Sequence, residues 1–238
     1  MNMIINFDSE VIDDAFKLKE NIKWQLKKFK QKHMARKTKE DAELTRRRII
    51  DAARAVFLAR GVSRSTLEHI ASHAEVTRGA VYWHFKNKTE IFHAIREQVF
   101  LPLIDRMDDS LTMQGNEDPL TQIENSLCDT INELNENIEM RQTYEIIMIK
   151  CEYVDEFASV LQQILNNCSN ITEKIQLAYE RAESQNLLAG THNPRALAQD
   201  THLFFSGLLH MWVKDFDGSR FRFQAIDLIK SHISLRRK

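Results

Sequence analysis

The chain has 238 residues, 43% of them apolar and 28% charged, with only 6 Gly and 3 Pro. That composition excludes a disordered or all-β protein and points to a soluble, helix-rich one, long enough for one or two domains. The formal charge of −1 is unevenly spread: residues 1–33 carry 7 Lys/Arg against 5 Asp/Glu, residues 34–88 carry 12 against 6, and residues 89–238 carry 14 against 23.

A basic N-terminal third joined to an acidic remainder is the asymmetry of a chain of which one part meets a polyanion, although like charges clustered on solvated helix faces give the same signature. No apolar run approaches the roughly 18 residues of a membrane span. The N-terminus mixes acids into its apolar positions, unlike a secretory signal, so a cytoplasmic location without membrane attachment is expected. Cys128, Cys151 and Cys168 are odd in number and far apart, with no C-x-x-C pair, which speaks for three buried thiols and against a disulfide framework or a zinc site.

In chain order, residues 1–33 form a loose amphipathic helix through Ile12, Phe16, Lys19, Lys23 and Lys27, ending in the basic KKFKQKH. Met34 opens the polar lead-in ARKTKEDAELTRRR and is itself a candidate start of translation; residues 1–42 read as an N-terminal extension and basic arm. From Thr45, Ile49, Ala53, Val56 and Phe57 share one face of a helix that Gly61 closes, while Arg46, Arg47, Arg48 and Arg54 decorate its other faces. Ser65 or Thr66 caps a short helix whose apolar stripe is Leu67, Ile70, Ala71 and Ala74. Thr77 caps the next, with Ala80, Val81 and Phe85 facing inward. Thr89 is expected to cap a fourth, carrying Ile91, Ile95, Val99 and Ile104 and bent at Pro102. Breaks at 115–119 and 188–196 separate long helical patterns over roughly 119–136, 139–154, 156–187, 194–214 and 221–234. No segment alternates as a strand would. The expected fold is all-α, with about nine helices.

Two short helices joined by a tight turn around residues 74–76 make a helix-turn-helix over 66–85, whose second helix fits a major groove about 12 Å wide. A helical wheel puts Ala80, Val81 and Phe85 on one side and Arg78, Gly79, Tyr82 and Trp83 on the other. Arg78 sits in the first turn, where its planar fork reaches guanine O6 and N7. Gly79 beside it permits close approach, Tyr82 and Trp83 offer donors to phosphate, and Lys88 joins a cation to the backbone donors of the next helix start. His84 reads equally well as a phosphate donor or as a structural histidine.

The run RRRIIDAARAVFLARGVSRSTLEHIASHAEVTRGAVYWHFKNKTEIF, residues 46–92, resembles the TetR family of bacterial transcriptional repressors, down to its Y-W-H-F-K-N-K signature. The resemblance implies a three-helix DNA-binding domain over 43–103 and a ligand-binding and dimerisation domain over 104–238. It places Thr66, Arg78, Gly79, Tyr82, Trp83, His84 and Lys88 at positions that contact DNA, and Arg47 is taken with them. Glu75 departs from the family, which often has Gly or Asn in this turn. A left-handed backbone there costs a Glu on the order of 1 kcal/mol.

The remainder, through the lead-in at Met34 and YEIIMIKCEYV at residues 144–154, resembles more loosely the AcrR-like branch that governs multidrug efflux. That implies a homodimer on a palindromic double-stranded DNA operator, released by a hydrophobic or cationic inducer. Adaptable aromatic and Met walls with one carboxylate single out Phe92, Phe100, Tyr144, Met148, Glu152, Phe157 and Phe205 as ligand candidates, each also readable as ordinary core. The apolar stripes of the last two helices, Leu197, Phe204, Leu208, Met211 and Trp212 with Ile226, Ile229 and Ile233, are the expected dimer interface, with internal core as the other reading. A regulator of a metabolic or stress operon, with another ligand or none, is the alternative function. An enzyme is the rival class: His69 and His73 have the i, i+4 spacing of a zinc pair, but no H-E-x-x-H or nucleophile motif accompanies them. No cofactor or metal is expected.

Overall fold

The computed structural model describes residues 9–112, 117–190 and 192–238, apart from the side chains of 9–22, 26, 30–38, 99, 100, 103, 108, 110 and 112. The chain falls into two compact units, Met1–Arg48 and Ile49–Lys238.

Helix α1 is assigned over Ser9–Arg60. The polar lead-in at 34–44 was expected as an arm between two helices and is itself helical. No Gly or Pro interrupts the 52 residues, and Lys, Glu, Arg and Ala dominate its polar stretch, all strong helix formers. In the first unit, Arg47 stands 3.8 Å from Glu43 one turn earlier. The expected apolar positions Ile12 and Phe16, with Lys19, lie outside the described side chains.

In the second unit, the end of α1 buries Ile49, Ala53, Val56 and Phe57, and Gly61 closes it at φ +78°, where a side chain would be strained. Helix α2 is Leu67–His73, α3 is Arg78–His84 and α4 is Lys88–Ile95. Asn87, not Thr89, caps α4: its Oδ1 accepts from Glu90 N–H at 2.9 Å. Asn is the better cap and sits two positions closer to the turn left by Phe85.

The expected bend at Pro102 is resolved differently. A π-helical segment, Arg96–Phe100, precedes α5, Leu101–Thr112, and Leu101 N–H reaches back five residues to the Arg96 carbonyl. Pro102 has no N–H to give and its ring crowds the carbonyl four residues earlier, so the chain widens a turn ahead of it.

Helices α6 (Pro119–Glu136), α7 (Ile138–Glu145, extended by a π-helical segment, Ile146–Lys150), α8 (Ala158–Ser184), α9 (Pro194–Lys214) and α10 (Ala225–Ser234) complete the unit. Their buried residues recur at helical spacing, as in Leu120, Ile123, Leu127, Ile131 and Leu134 of α6. The pattern expected over 139–154 ends at Lys150, and Tyr153 folds back to donate to the Ile147 carbonyl at 2.5 Å. The last helix starts at Ala225 rather than 221. Asp215 takes the backbone N–H groups of Arg220, Phe221 and Arg222 at 2.7–3.0 Å, tying those residues into a loop. Among the described residues the one β-like pairing is the bridge between Leu188 and Arg237. No described helix is long and apolar enough to cross a membrane.

Of the three thiols, Cys128 is buried, whereas Cys151 and Cys168 are only half-buried; all are free. Burial pushes the Cys128 and Cys151 thiols up to about 11, which keeps them protonated at neutral pH.

Candidate nucleic-acid interface

Thr66 begins α2. Its hydroxyl accepts from His69 N–H at 3.2 Å while its own N–H donates to His69 Nδ1 at 3.3 Å, a reciprocal cap in which His stands where Glu or Gln is usual. One member of the His69/His73 pair is thereby occupied in starting the helix. The turn that follows is a Schellman motif: Val76 N–H bonds the Ala71 carbonyl at 3.1 Å and Glu75 N–H bonds that of Ser72 at 3.3 Å. Its left-handed position is Glu75, at φ 53°.

Thr77 then caps α3, accepting from Ala80 N–H at 3.1 Å. Val81 and Phe85 are buried and Ala80 is half-buried, so one side of this seven-residue helix is anchored. On the other side Arg78 and Gly79 are exposed, and Tyr82 and Trp83 are 46% and 73% exposed. Rings left in water to that extent contribute little to folding, so their place on α3 calls for a partner. His84 lies between the two sides, half-buried and edge-on to Trp83 at 4.4 Å.

The Arg78 guanidinium is held in place from two directions. Nη1 pairs with Glu68 of α2 at 3.0 Å, and Nη2 donates to the Tyr82 hydroxyl at 3.2 Å. These contacts, Tyr82 first and then Glu68, push its pKa up further. Sequence reasoning missed Glu68, because its approach to Arg78 depends on how α2 crosses α3. Lys88 is also drawn in: Nζ donates to the Ser63 carbonyl at 3.3 Å and lies 5.8 Å from the Phe157 ring centre. Lys86, exposed just beyond α3, is a second cation of the KNK run. Arg47 lies in the first unit, exposed.

The ligand candidates divide. Phe92 and Phe157 meet edge-on at 5.3 Å, and Phe92 also packs on Phe57 at 6.5 Å. Tyr144 and Phe205 are buried and Met148 is half-buried against the same core. Glu152 is exposed, so a carboxylate buried among these rings is not what it provides. The Phe100 side chain lies outside the described residues.

Of the dimer candidates, Trp212, Ile229 and Ile233 are fully buried and Leu208 nearly so, because α10 packs on α6 and α9 and draws these side chains into the core of the single chain. Leu197, Phe204 and Ile226 are half-buried, with Phe204 stacked on His232 at 3.9 Å, and Met211 is exposed. Leu161, Leu165 and Leu177 of α8 and Leu203 of α9 are exposed as well, as are Leu228 of α10 and Phe216, Phe223 and Leu235 outside the helices. Between α8 and α9 runs an open groove of about 900 Å³, lined by Leu165, Cys168, Thr172, Gln176, His202 and Leu203 among others.

A capped helix-turn-helix with an exposed Arg, Tyr and Trp face, followed by a larger helical domain, defines a DNA-binding regulator. The family model for bacterial regulatory proteins of the tetR family matches residues 49–95, and that for the C-terminal region of MAATS-type transcriptional repressors matches 118–237. TtgR, an HTH-type transcriptional regulator of Pseudomonas putida, is 34% identical over 180 residues, 76% of this chain and 85% of its own. NalD, the secondary repressor of the MexAB-OprM multidrug efflux pump in Pseudomonas aeruginosa, superposes with a TM-score of 0.73 at 30% identity, over 84% of this chain and 98% of its own. SmeT, the repressor of the Stenotrophomonas maltophilia multidrug efflux pump SmeDEF, solved with triclosan, gives 0.69 at 29% identity, over 82% of this chain and 92% of its own. The chain belongs to the TetR family and is a transcriptional repressor related to the multidrug efflux regulators.

Proposed function

We propose that the chain acts in the bacterial cytoplasm as a homodimer on a palindromic operator, that a hydrophobic small molecule in the C-terminal domain releases it, and that it controls a multidrug efflux operon. The exposed Arg78, Tyr82 and Trp83 on a helix whose other side is anchored by Val81 and Phe85 carry the DNA half of this reading. Thr66, Gly79, His84, Lys88 and Arg47 are its further DNA contacts. The relatedness to repressors of efflux pumps, one of them bound to triclosan, supports the other half.

Arg78 is the base-reading residue. Its contacts with Glu68 and Tyr82 preorganise the fork, and on binding a guanine edge replaces the water around it. Lys88 and the α4 start contact phosphate, with Nζ exchanging the Ser63 carbonyl for a phosphate oxygen. Two recognition helices must stand about 34–36 Å apart to reach successive turns of one face of the duplex, so a small pivot of the heads prevents simultaneous docking.

A gel shift on the DNA upstream of the gene, with and without hydrophobic compounds, tests the reading. Arg78→Ala should lose about 1–3 kcal/mol on the operator and little on random DNA, whereas Lys88→Ala should weaken both and flatten the salt dependence. Equal losses on both DNAs for the Arg78 variant would remove its base-reading role. Binding that no compound alters would leave a repressor without the efflux-sensor function.

A further inference from the structure

We propose that Arg96 is the anion-binding centre of the effector site, so that the effector is an apolar compound carrying an acidic group, a carboxylate, phenolate or sulfonate. This rests on the reading of the chain as a ligand-released repressor and names the ligand class.

Arg96 opens the π-helical segment and is only 4% exposed. A guanidinium has five N–H donors. Here Nη1 donates to Gln163 Oε1 at 3.0 Å, and buried Nε has no partner among the described residues. Arg54, Arg78, Arg106, Arg236 and Arg237 each pair with a carboxylate, and among the described residues Arg96 pairs with none. The charges and titratable groups that act on it are Tyr153 and Glu97. Glu97 is exposed on the same segment and outside ion-pair distance, and the Tyr153 hydroxyl is already committed to the Ile147 carbonyl.

A buried guanidinium without a counter-charge is unfavourable, and an apolar side chain of similar length would fill the same space at lower cost. Its retention has a use if an anion arrives from outside. The surroundings define the rest of that molecule. One turn before Arg96 stands Phe92, edge-on to Phe157, and Ile95 beside it is buried. An aromatic or alkyl body enters by parting these packed side chains, each at most 5% exposed, while its acidic group takes the open donors in charge-assisted hydrogen bonds. A cationic compound meets like charge at the same point. The site also lies close in the chain to the proposed DNA contacts, since α4 and the segment opened by Arg96 follow directly on α3 and Lys88. Neutralising Arg96 within a turn that already departs from α-helical spacing gives the ligand a means of resetting that turn.

The test uses the full chain and two fluorescent probes with one apolar frame, anilinonaphthalenesulfonate and N-phenylnaphthylamine, which differ by the sulfonate. The wild-type protein should bind the sulfonate at least about tenfold more tightly, the worth of a charged hydrogen bond. Arg96→Met should lose that preference while holding the amine within about threefold, and Arg96→Lys should keep most of it. Sulfonate binding no tighter than the amine in the wild type, or unchanged in Arg96→Met, overturns the proposal. If Arg96→Met does not fold, the wild-type comparison and Arg96→Lys decide alone. Should the amine bind and release the operator while the sulfonate has no advantage, the ligand-released reading stands and the Arg96 assignment falls. Should neither probe bind, both fall.

Discussion

Glu75 occupies the one position of the helix-turn-helix where its side chain is a liability. The Schellman hydrogen bonds from Glu75 and Val76 require Glu75 itself to be left-handed, and it takes φ 53° against the crowding of Cβ and carbonyl. Glu75→Gly should therefore raise stability by on the order of 1 kcal/mol, read as a higher denaturation midpoint at unchanged slope. No gain would mean that the exposed Glu makes a compensating contact. The left-handed turn was legible in the sequence as a departure at a known turn. The Glu68 partner of Arg78 was not, since nothing in the spacing of two helices states which side chains meet across them.

At the scale of elements, α9 and α10 are joined by polar groups as well as by their apolar stripes. The Tyr179 hydroxyl of α8 meets Thr201 Oγ1 at 2.7 Å, Thr201 meets His232 Nε2 at 3.2 Å, and the His232 ring stacks on Phe204. Burial first, and then the neighbouring Arg236, pull the His232 pKa down to about 4, against the opposing pull of Asp200. A base whose folded pKa lies below its unfolded value of about 6.5 must give up a favoured neutral state to take a proton. Its contribution is complete above pH about 6.5 and is lost as pH falls toward 4. His232→Gln should flatten the stability profile in that window. A profile as steep as the wild type's would locate that response in another group, though not in Asp215, whose own contribution is lost only lower, between pH about 3.8 and about 2. There burial raises the pKa, but backbone N–H groups from Arg222, Phe221 and Arg220 outweigh it and hold the carboxyl at about 2.

The end of α1 and the turn after it meet the C-terminal helices through the Val62 N–H bond to the Lys150 carbonyl at 2.8 Å and through Arg54, nearly buried, which pairs with Asp51 and with Glu139 at 3.2 Å. Glu139→Gln leaves a buried guanidinium short of a charge and should cost about 1–2 kcal/mol in a denaturant titration; Arg54→Met, which leaves two solvated carboxylates, should cost less. The reverse order would show that Arg54 acts through packing. For the dimer proposed above, the exposed Leu161, Leu165, Leu177 and Leu203 offer the face of α8 and α9 as the interface. Leu165→Glu with Leu203→Glu should turn the protein into a monomer by sedimentation and abolish tight operator binding. Trp212→Ala should instead cost about 3–5 kcal/mol of stability, as a core truncation does. A dimer that survives the paired Glu substitutions would refute the α8–α9 face.

Local chemistry was sufficient for the helices of the second unit and for the division of α3 into an anchored and an exposed side. Periodicity, Thr caps and Gly61 act within a few residues, so they are written in order along the chain. Helix ends already escaped that reading where a distant or irregular constraint intervened, as at Pro102 and at the loop gathered by Asp215. Periodicity states that a stripe is covered but not by what: Trp212, Ile229 and Ile233 are covered by their own chain, and Leu165 and Leu203 are not. The withdrawal of Lys88 onto Ser63 and the isolation of Arg96 from every described carboxylate depend on residues brought close only by tertiary packing. Those contacts are set by the crossing of whole helices, which no local pattern contains.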